Sequence, residues 1–262
     1  MKPNVLDRLE QILRQAGQLL LDRRANGTFT FQRNTVSVSA SVDIEAHKFL
    51  VQELSALDSA IPVLSEEDAA PRSAARPEVY WLIDPLDGTA SFVDGYAGFV
   101  TQAALIRGCK PIISGVYAPA LDEMFLAEEG SGTVFNGKRL RTKARLPLGW
   151  ILTDNYPAAR GIAADAMREL NIPCYLECGS IGLKICRVAD GSADLFLKDV
   201  TVRDWDVAAP QLVLTEAGGV LSDISGLPYP YSGNFDRYGL LASASRDIAV
   251  ELLQWLKRRE KT

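Results

Sequence analysis

The chain of 262 residues carries a single histidine, His47, and four cysteines, Cys109, Cys174, Cys178 and Cys186, with no C-x-x-C pair among them. A zinc site therefore has little to build on, and the thiols read as reduced and mostly buried. A Ser-His-Asp or Cys-His mechanism would have to use His47, which stands at helical spacing in "DIEAHKFLVQEL" and reads as a surface or half-buried helix residue. A general base is expected instead among carboxylates and metal-bound water. No apolar stretch approaches the length of a membrane span, and "MKPNVLDRLEQ" lacks the apolar core of a signal peptide, so the expectation is a soluble, cytoplasmic protein with no membrane partner. A net charge of -5 gives no electrostatic footprint for nucleic acid, and the short basic tail "KRREK" reads as a solvated helix end. Internal repeats, low-complexity segments and a long linker are also missing.

With 47% hydrophobic and 23% charged residues, the chain can bury a substantial core in one domain or in two intimately packed halves. Helical spacing of Leu6, Leu9, Leu13, Ala16 and Leu20, stopped by Asn26-Gly27, predicts a first helix over 4–25. A second is expected from Asp43 to about Leu57. The runs "VTQAALI", "PIISGVY", "EMFLAE" and "TVFNGKRL" predict antiparallel sheet, the last turning on Asn136-Gly137. From about residue 148 strands and helices alternate: "WILT", helices near 157–170 and 181–190, "DLFL", a helix over 205–217, "GGVLSD" and a final helix from Arg246. This divides the chain into 1–146, with antiparallel sheet and most candidate ligands, and 147–262, α/β in texture, with a site expected at their junction.

Chemistry concentrates in "WLIDPLDGTASF", residues 81–92. Trp81-Leu82-Ile83 reads as a buried strand that Pro85 stops at Asp84. The carboxylates of Asp84 and Asp87 and the carbonyl of Leu86 would then converge on one point, as a hard cation such as Mg²⁺ requires. If "TASF" opens a helix, the N–H groups of Gly88 and Thr89 would hold a phosphate beside it. An ordinary Asp-Pro-Gly turn explains the same residues. An EF-hand loop does not, because its twelfth position would be Gly95, and the D-x-D-G-T of aspartyl-phosphate phosphatases has one residue fewer between its acids. Two other stretches supply acids: "IPVLSEED", with Glu66 and Glu67, and "RDWDVAAPQLVLTEAGG", with Asp206 at a helix start. Singly these read equally well as a solvated loop and a helix cap. Together with Asp84 and Asp87 they suggest a multi-metal phosphoester hydrolase.

The intact "DPLDGTASF", "WDVAAPQLVLTEAGG" and "SEE", with "VYAPALDEMFLAEEGSGTVFNGKRL" and "CGSIGLKICRVADGSADLF" between them, resemble the inositol monophosphatase superfamily over most of 43–225. That superfamily includes 3'(2'),5'-bisphosphate nucleotidases and some fructose bisphosphatases. The resemblance implies an α+β fold layered α-β-α-β-α, a phosphoric monoester hydrolase using two or three Mg²⁺ ions and metal-activated water, and a homodimer. Carried over by motif, Glu66, Asp84 and the Leu86 carbonyl form a first metal site, and Asp84, Asp87 and Asp206 a second. Glu66 also serves a third ion through water. Thr89 pairs with Asp43 to orient the attacking water, and Gly88 and Thr89 hold the phosphate.

The sequence departs from the family pattern at three places. Ala40 stands where a threonine usually precedes Asp43, Pro210 replaces the glycine after W-D-x-A-A, and "FTFQRNTVSV" lacks a lysine, with Arg33 the nearby cation. Pro210 removes the N–H that would bond the Asp206 carbonyl. For substrate, the resemblance points two ways. Asp199 stands seven residues before Asp206, where inositol monophosphatases place an acid that receives a ring hydroxyl, and "DGTASF" lacks the lysine and glutamate of bacterial bisphosphate nucleotidases, which implies a polyol or sugar phosphate. "PVLSEE", "VYAPAL" and Lys184 look more like the nucleotidase branch, where a lysine could meet a second phosphate. The full ligand set argues against an inactive metal-binding or scaffold protein.

Overall fold

The computed structural model describes residues 4–33, 38–68, 76–142 and 149–259. The expected boundary at 146 and part of the loop ahead of Asp43 lie outside the described residues. In chain order the elements are α1 (Val5–Ala25), β1 (Phe31–Arg33), β2 (Val38–Ala40), α2 (Ser41–Leu57), β3 (Val63–Ser65), β4 (Val79–Asp87), α3 (Thr89–Val93), β5 (Val100–Arg107), β6 (Lys110–Ala118), β7 (Glu123–Glu128), β8 (Gly132–Phe135) and β9 (Lys138–Leu140). They continue as β10 (Ile151–Asp154), α4 (Ile162–Glu169), β11 (Cys174–Glu177), α5 (Ile181–Ala189), β12 (Leu195–Arg203), α6 (Asp204–Ala217), β13 (Val220–Ser222), β14 (Asp236–Ser243) and α7 (Arg246–Arg259).

Two sheets organise the molecule: a seven-stranded one ordered β3-β4-β5-β6-β7-β8-β9 and a five-stranded one ordered β11-β10-β12-β14-β13. Alternation along β4 shows how the layers form. Trp81 and Ile83 face α1 and α2, joining Leu9, Leu13, Leu50 and Leu54, while Tyr80 and Leu82 face the opposite way, into the core that α5 and α6 fill. α5 and α6 pack on both sheets, and α4 and α7 contact the second sheet through β10, β12 and β14. The result is α+β, in the layer order α-β-α-β-α, as the resemblance implies. Leu82 and Phe125 of the first sheet share one core cluster with Leu152 and Phe196 of the second.

Local departures from expectation have local causes. The strand expected to stop at Asp84 runs on to Asp87, because Pro85 is accommodated in a bulge where the register against β5 shifts. The helix expected from about 157 begins only at Ile162, after a turn closed by Gly161 at φ 54. β11 and β14 were not expected, nor were β1 and β2, which pair antiparallel in the stretch ahead of Asp43 that reads as a loop; Gly239, at φ 79, interrupts the pattern of β14. The Asn136-Gly137 hairpin forms as expected, with φ 44 and 77.

Candidate active site

Asp84 and Asp87 lie at the end of β4, where Asp84 pairs with Gln102 and Asp87 with Val100. One extra residue in β4 turns both acids towards α5 and α6. Asp84 Oδ1 accepts the Leu86 N–H at 3.1 Å, and its buried Oδ2 has no hydrogen-bond partner. Asp87 is gripped by the start of α5: Gly182 N–H donates to Oδ2 at 2.6 Å and Ile181 N–H to Oδ1 at 3.3 Å. Close packing of Gly98 on Gly179 brings that helix start against the loop, with Ser180 N–H donating to the Gly98 carbonyl at 2.6 Å.

Glu66 follows β3, whose last residue Ser65 pairs in parallel with Ile83, so it emerges beside Asp84. Asp206 sits in the first turn of α6 and accepts the Arg203 N–H at 2.9 Å, serving as a helix cap as well as a site acid. One oxygen from each of Glu66, Asp84 and Asp206 lies within 4.8 Å of the others, the metal-type cluster found among the described residues. Asp87 is not in this trio; each of its oxygens accepts an α5 amide, which leaves a lone pair on each for a cation.

The electrostatics call for a cation. Burial, then Glu66, Asp87 and Asp206, pushes the Asp84 carboxyl well above the usual range, and burial with Asp87 and Glu66 does the same to Asp206. Asp87 is raised by burial to about 6 despite its two amide hydrogen bonds and the nearby Lys184. Burial, with Glu67 and Glu66, takes Asp43 to about 7. Hard oxygen donors converging on an orphaned buried oxygen, with no cysteine or imidazole among them, fit a hard divalent ion.

The remaining expected residues are placed as follows. Asp43 Oδ2 accepts the Ala40 N–H at 2.7 Å, so the missing threonine leaves a backbone bond intact, and Oδ1 is buried without a partner. Thr89 does not make the expected bond to Asp43. As the first residue of α3 it folds back, and its hydroxyl donates to the Leu86 carbonyl at 3.2 Å. Gly88 takes the left-handed φ of 89 that lets the chain turn into α3. Lys184 is only 1% exposed, with its ammonium donating to Asn155 Oδ1 at 2.6 Å and the Gly179 carbonyl at 2.7 Å; burial lowers it to about 8. Asp199 occupies an irregularity in β12 beside Gly161. Arg33 pairs with Asp94. Sequence reasoning missed the α5 amides on Asp87, the Arg203 guanidinium 3.2 Å from Glu66, and Gln102 behind the cluster.

Residues 2–258 match the model of the inositol monophosphatase family. The chain belongs to that family. The 3'(2'),5'-bisphosphate nucleotidase CysQ of Aggregatibacter actinomycetemcomitans is 30% identical over 240 residues, covering 87% of this chain and 88% of the relative. Nus factor SuhB of Vibrio cholerae is 29% identical over 231 residues, covering 85% and 84%. The crystal structure of the extragenic suppressor protein SuhB from Bartonella henselae superposes with a TM-score of 0.83 at 27% identity, over 97% of this chain and 98% of the other. This inositol monophosphatase family member is thus a phosphoric monoester hydrolase of a metal-dependent family.

Proposed function

We propose that this family member is a Mg²⁺-dependent phosphatase of a small phosphorylated polyol or sugar, and the observation that carries the reading is the convergence of Glu66, Asp84 and Asp206. These three, with Asp87 and the Leu86 carbonyl, would hold the ions. When bound, Mg²⁺ supplies charge that cancels the acids' repulsion of a phosphate, activates water and stabilises the leaving oxygen. The chain's own residues do the rest. Gly88 and Thr89 present backbone N–H groups to the phosphate. Asp43 Oδ1, buried and unpartnered, takes the proton of the attacking water. Thr89 fixes the Leu86 carbonyl through its hydroxyl. Asp199 accepts hydrogen bonds from the hydroxyls of the leaving group. We place the enzyme in the cytoplasm, as a homodimer.

Phosphate release across inositol 1-phosphate, sugar phosphates, fructose 1,6-bisphosphate and adenosine 3',5'-bisphosphate tests the reading. Polyol phosphates should head the ranking, activity should vanish in excess EDTA, and full turnover without divalent ions would sink the proposal. A second reading, adenosine 3',5'-bisphosphate as substrate, is favoured by Lys184 beside Asp87 and by the CysQ relatives.

A further inference from the structure

Pro210 stands four residues after Asp206 inside α6, so the Asp206 carbonyl has lost the N–H that a regular helix would give it, and the proline ring crowds that carbonyl as well. A side chain from another element has come to it. Gln102 of β5 is fully buried, and its Nε2 donates to the Trp205 carbonyl at 3.0 Å and reaches the Asp206 carbonyl at 3.4 Å. The same residue lies directly opposite Asp84 in the β4–β5 register. Its other amide atom, Oε1, is buried without a partner and presses on α5, where a Cβ at Gly182 would lie 2.5 Å from it and 3.0 Å from Asp87 Oδ2. One side chain therefore meets the three elements that carry Asp84, Asp206 and the amides that grip Asp87.

We propose that Gln102 is a positioning residue for the acid cluster: its amide stands in for the N–H that Pro210 removes and so fixes where α6 presents Asp206 against Asp84. The proposal rests on reading Glu66, Asp84 and Asp206 as cation ligands. Asp206 is then held on two sides, its carboxylate by the Arg203 N–H at 2.9 Å and its carbonyl by Gln102. A buried amide with an unsatisfied oxygen is an expensive way to fill space, and an aliphatic side chain would fill it without that cost. Its placement is explained by what its donor end does.

The test is a double-substitution cycle with Gln102→Met, which keeps length but removes the donor, and Pro210→Ala, which restores a backbone N–H without adding glycine's freedom. Two quantities are read on all four proteins: Mg²⁺ affinity by calorimetry without substrate, and urea unfolding of the metal-free protein. Gln102→Met should weaken Mg²⁺ binding at least about tenfold with Pro210 present and less than about threefold in the Pro210→Ala background, since the helix then supplies its own donor. Equal losses in both backgrounds would overturn the proposal, as would lost stability with unchanged Mg²⁺ affinity, which marks a core hydrogen bond and no more. A wild type that binds no Mg²⁺ overturns the metal reading itself and the positioning role with it. That outcome is distinct from a wild type that binds Mg²⁺ while the cycle shows no coupling.

Discussion

Asp84 and Asp87 flank a one-residue bulge, Asp84 opposite Gln102 and Asp87 opposite Val100. Three residues apart on a regular strand, they would point to opposite faces, because side chains alternate. The extra residue cancels one alternation and brings both carboxylates to the α5 and α6 side, so the irregularity at Pro85 is what makes the pair a site.

Asp84 is repelled by Glu66, Asp87, Asp206 and Asp43 and carries an orphaned oxygen, so Asp84→Asn should cost at least about a thousandfold in kcat and most of the Mg²⁺ affinity. Thr89→Ala frees only the Leu86 carbonyl, one of several proposed ion ligands, so it should weaken Mg²⁺ binding by no more than a few-fold and lower kcat far less than Asp84→Asn does. Calorimetric Mg²⁺ titration alongside steady-state rates separates the two. Near-normal turnover in Asp84→Asn would refute the ligand assignment.

The raised carboxyls predict the direction of the pH response. Asp43 at about 7 and Asp87 at about 6 hold protons in the folded chain that an unfolded carboxyl, near about 3.9, has already lost. Through that window the native state binds more protons, so stability of the metal-free protein falls as pH rises towards 7. A cation displaces those protons, so Mg²⁺ affinity should climb over the same range, with a proton released on binding. Titrations at about pH 5 and about pH 8 check this. An affinity independent of pH would contradict the electrostatic account.

The site was legible in sequence where its geometry is local. Asp84, Pro85, Asp87 and Gly88 lie within five consecutive residues, and their chemistry suggests a cation and a phosphate before any fold is known, although an ordinary turn would use the same residue types. Glu66 and Asp206 are ordinary by themselves, an acid after a short strand and an acid opening a helix, and gained weight only when taken together with Asp84 and Asp87; the family motif then gave each its place in a metal site. Gln102 was invisible: it sits in an apolar strand run, and its partners lie more than a hundred residues along the chain. The Thr89 bond was misread because hydroxyl reach is set by the helix turn it starts, which motif position does not convey. For the fold, period and turn residues gave α1, α2 and the first sheet, while β14, broken by Gly239 and central to the second sheet, needed the structure.

Asp204 has a different place from its neighbour Asp206. It is fully buried and paired with Arg76 at 2.5 Å, with Arg237 at 3.5 Å on its other oxygen, while Arg76 stacks on Phe235. Burial still raises the Asp204 carboxyl to about 6 in spite of both guanidinium groups. Arg76→Ala would strand that carboxylate and should cost about 3–5 kcal/mol of unfolding free energy. Urea unfolding measures it, and a loss below about 1 kcal/mol would show that the pair contributes little beyond packing.

Substrate choice turns on Asp199 and Lys184, which favour different leaving groups. An Asp199 carboxylate facing the leaving group accepts hydrogen bonds from neighbouring hydroxyls and repels a second phosphate. Lys184 would attract that phosphate, but two of its N–H bonds already go to Asn155 and Gly179 and its charge is opposed by burial. Higher kcat/KM is therefore expected for inositol 1-phosphate than for adenosine 3',5'-bisphosphate. Asp199→Asn should lower polyol phosphate turnover roughly tenfold and leave Mg²⁺ affinity intact, since the proposed ligands are untouched. Lys184→Met should loosen the Gly179 turn and lower activity towards both substrates alike. A wild-type preference for the bisphosphate nucleotide that disappears in Lys184→Met would reverse the assignment, because a lysine that only supports the turn has no reason to discriminate between them.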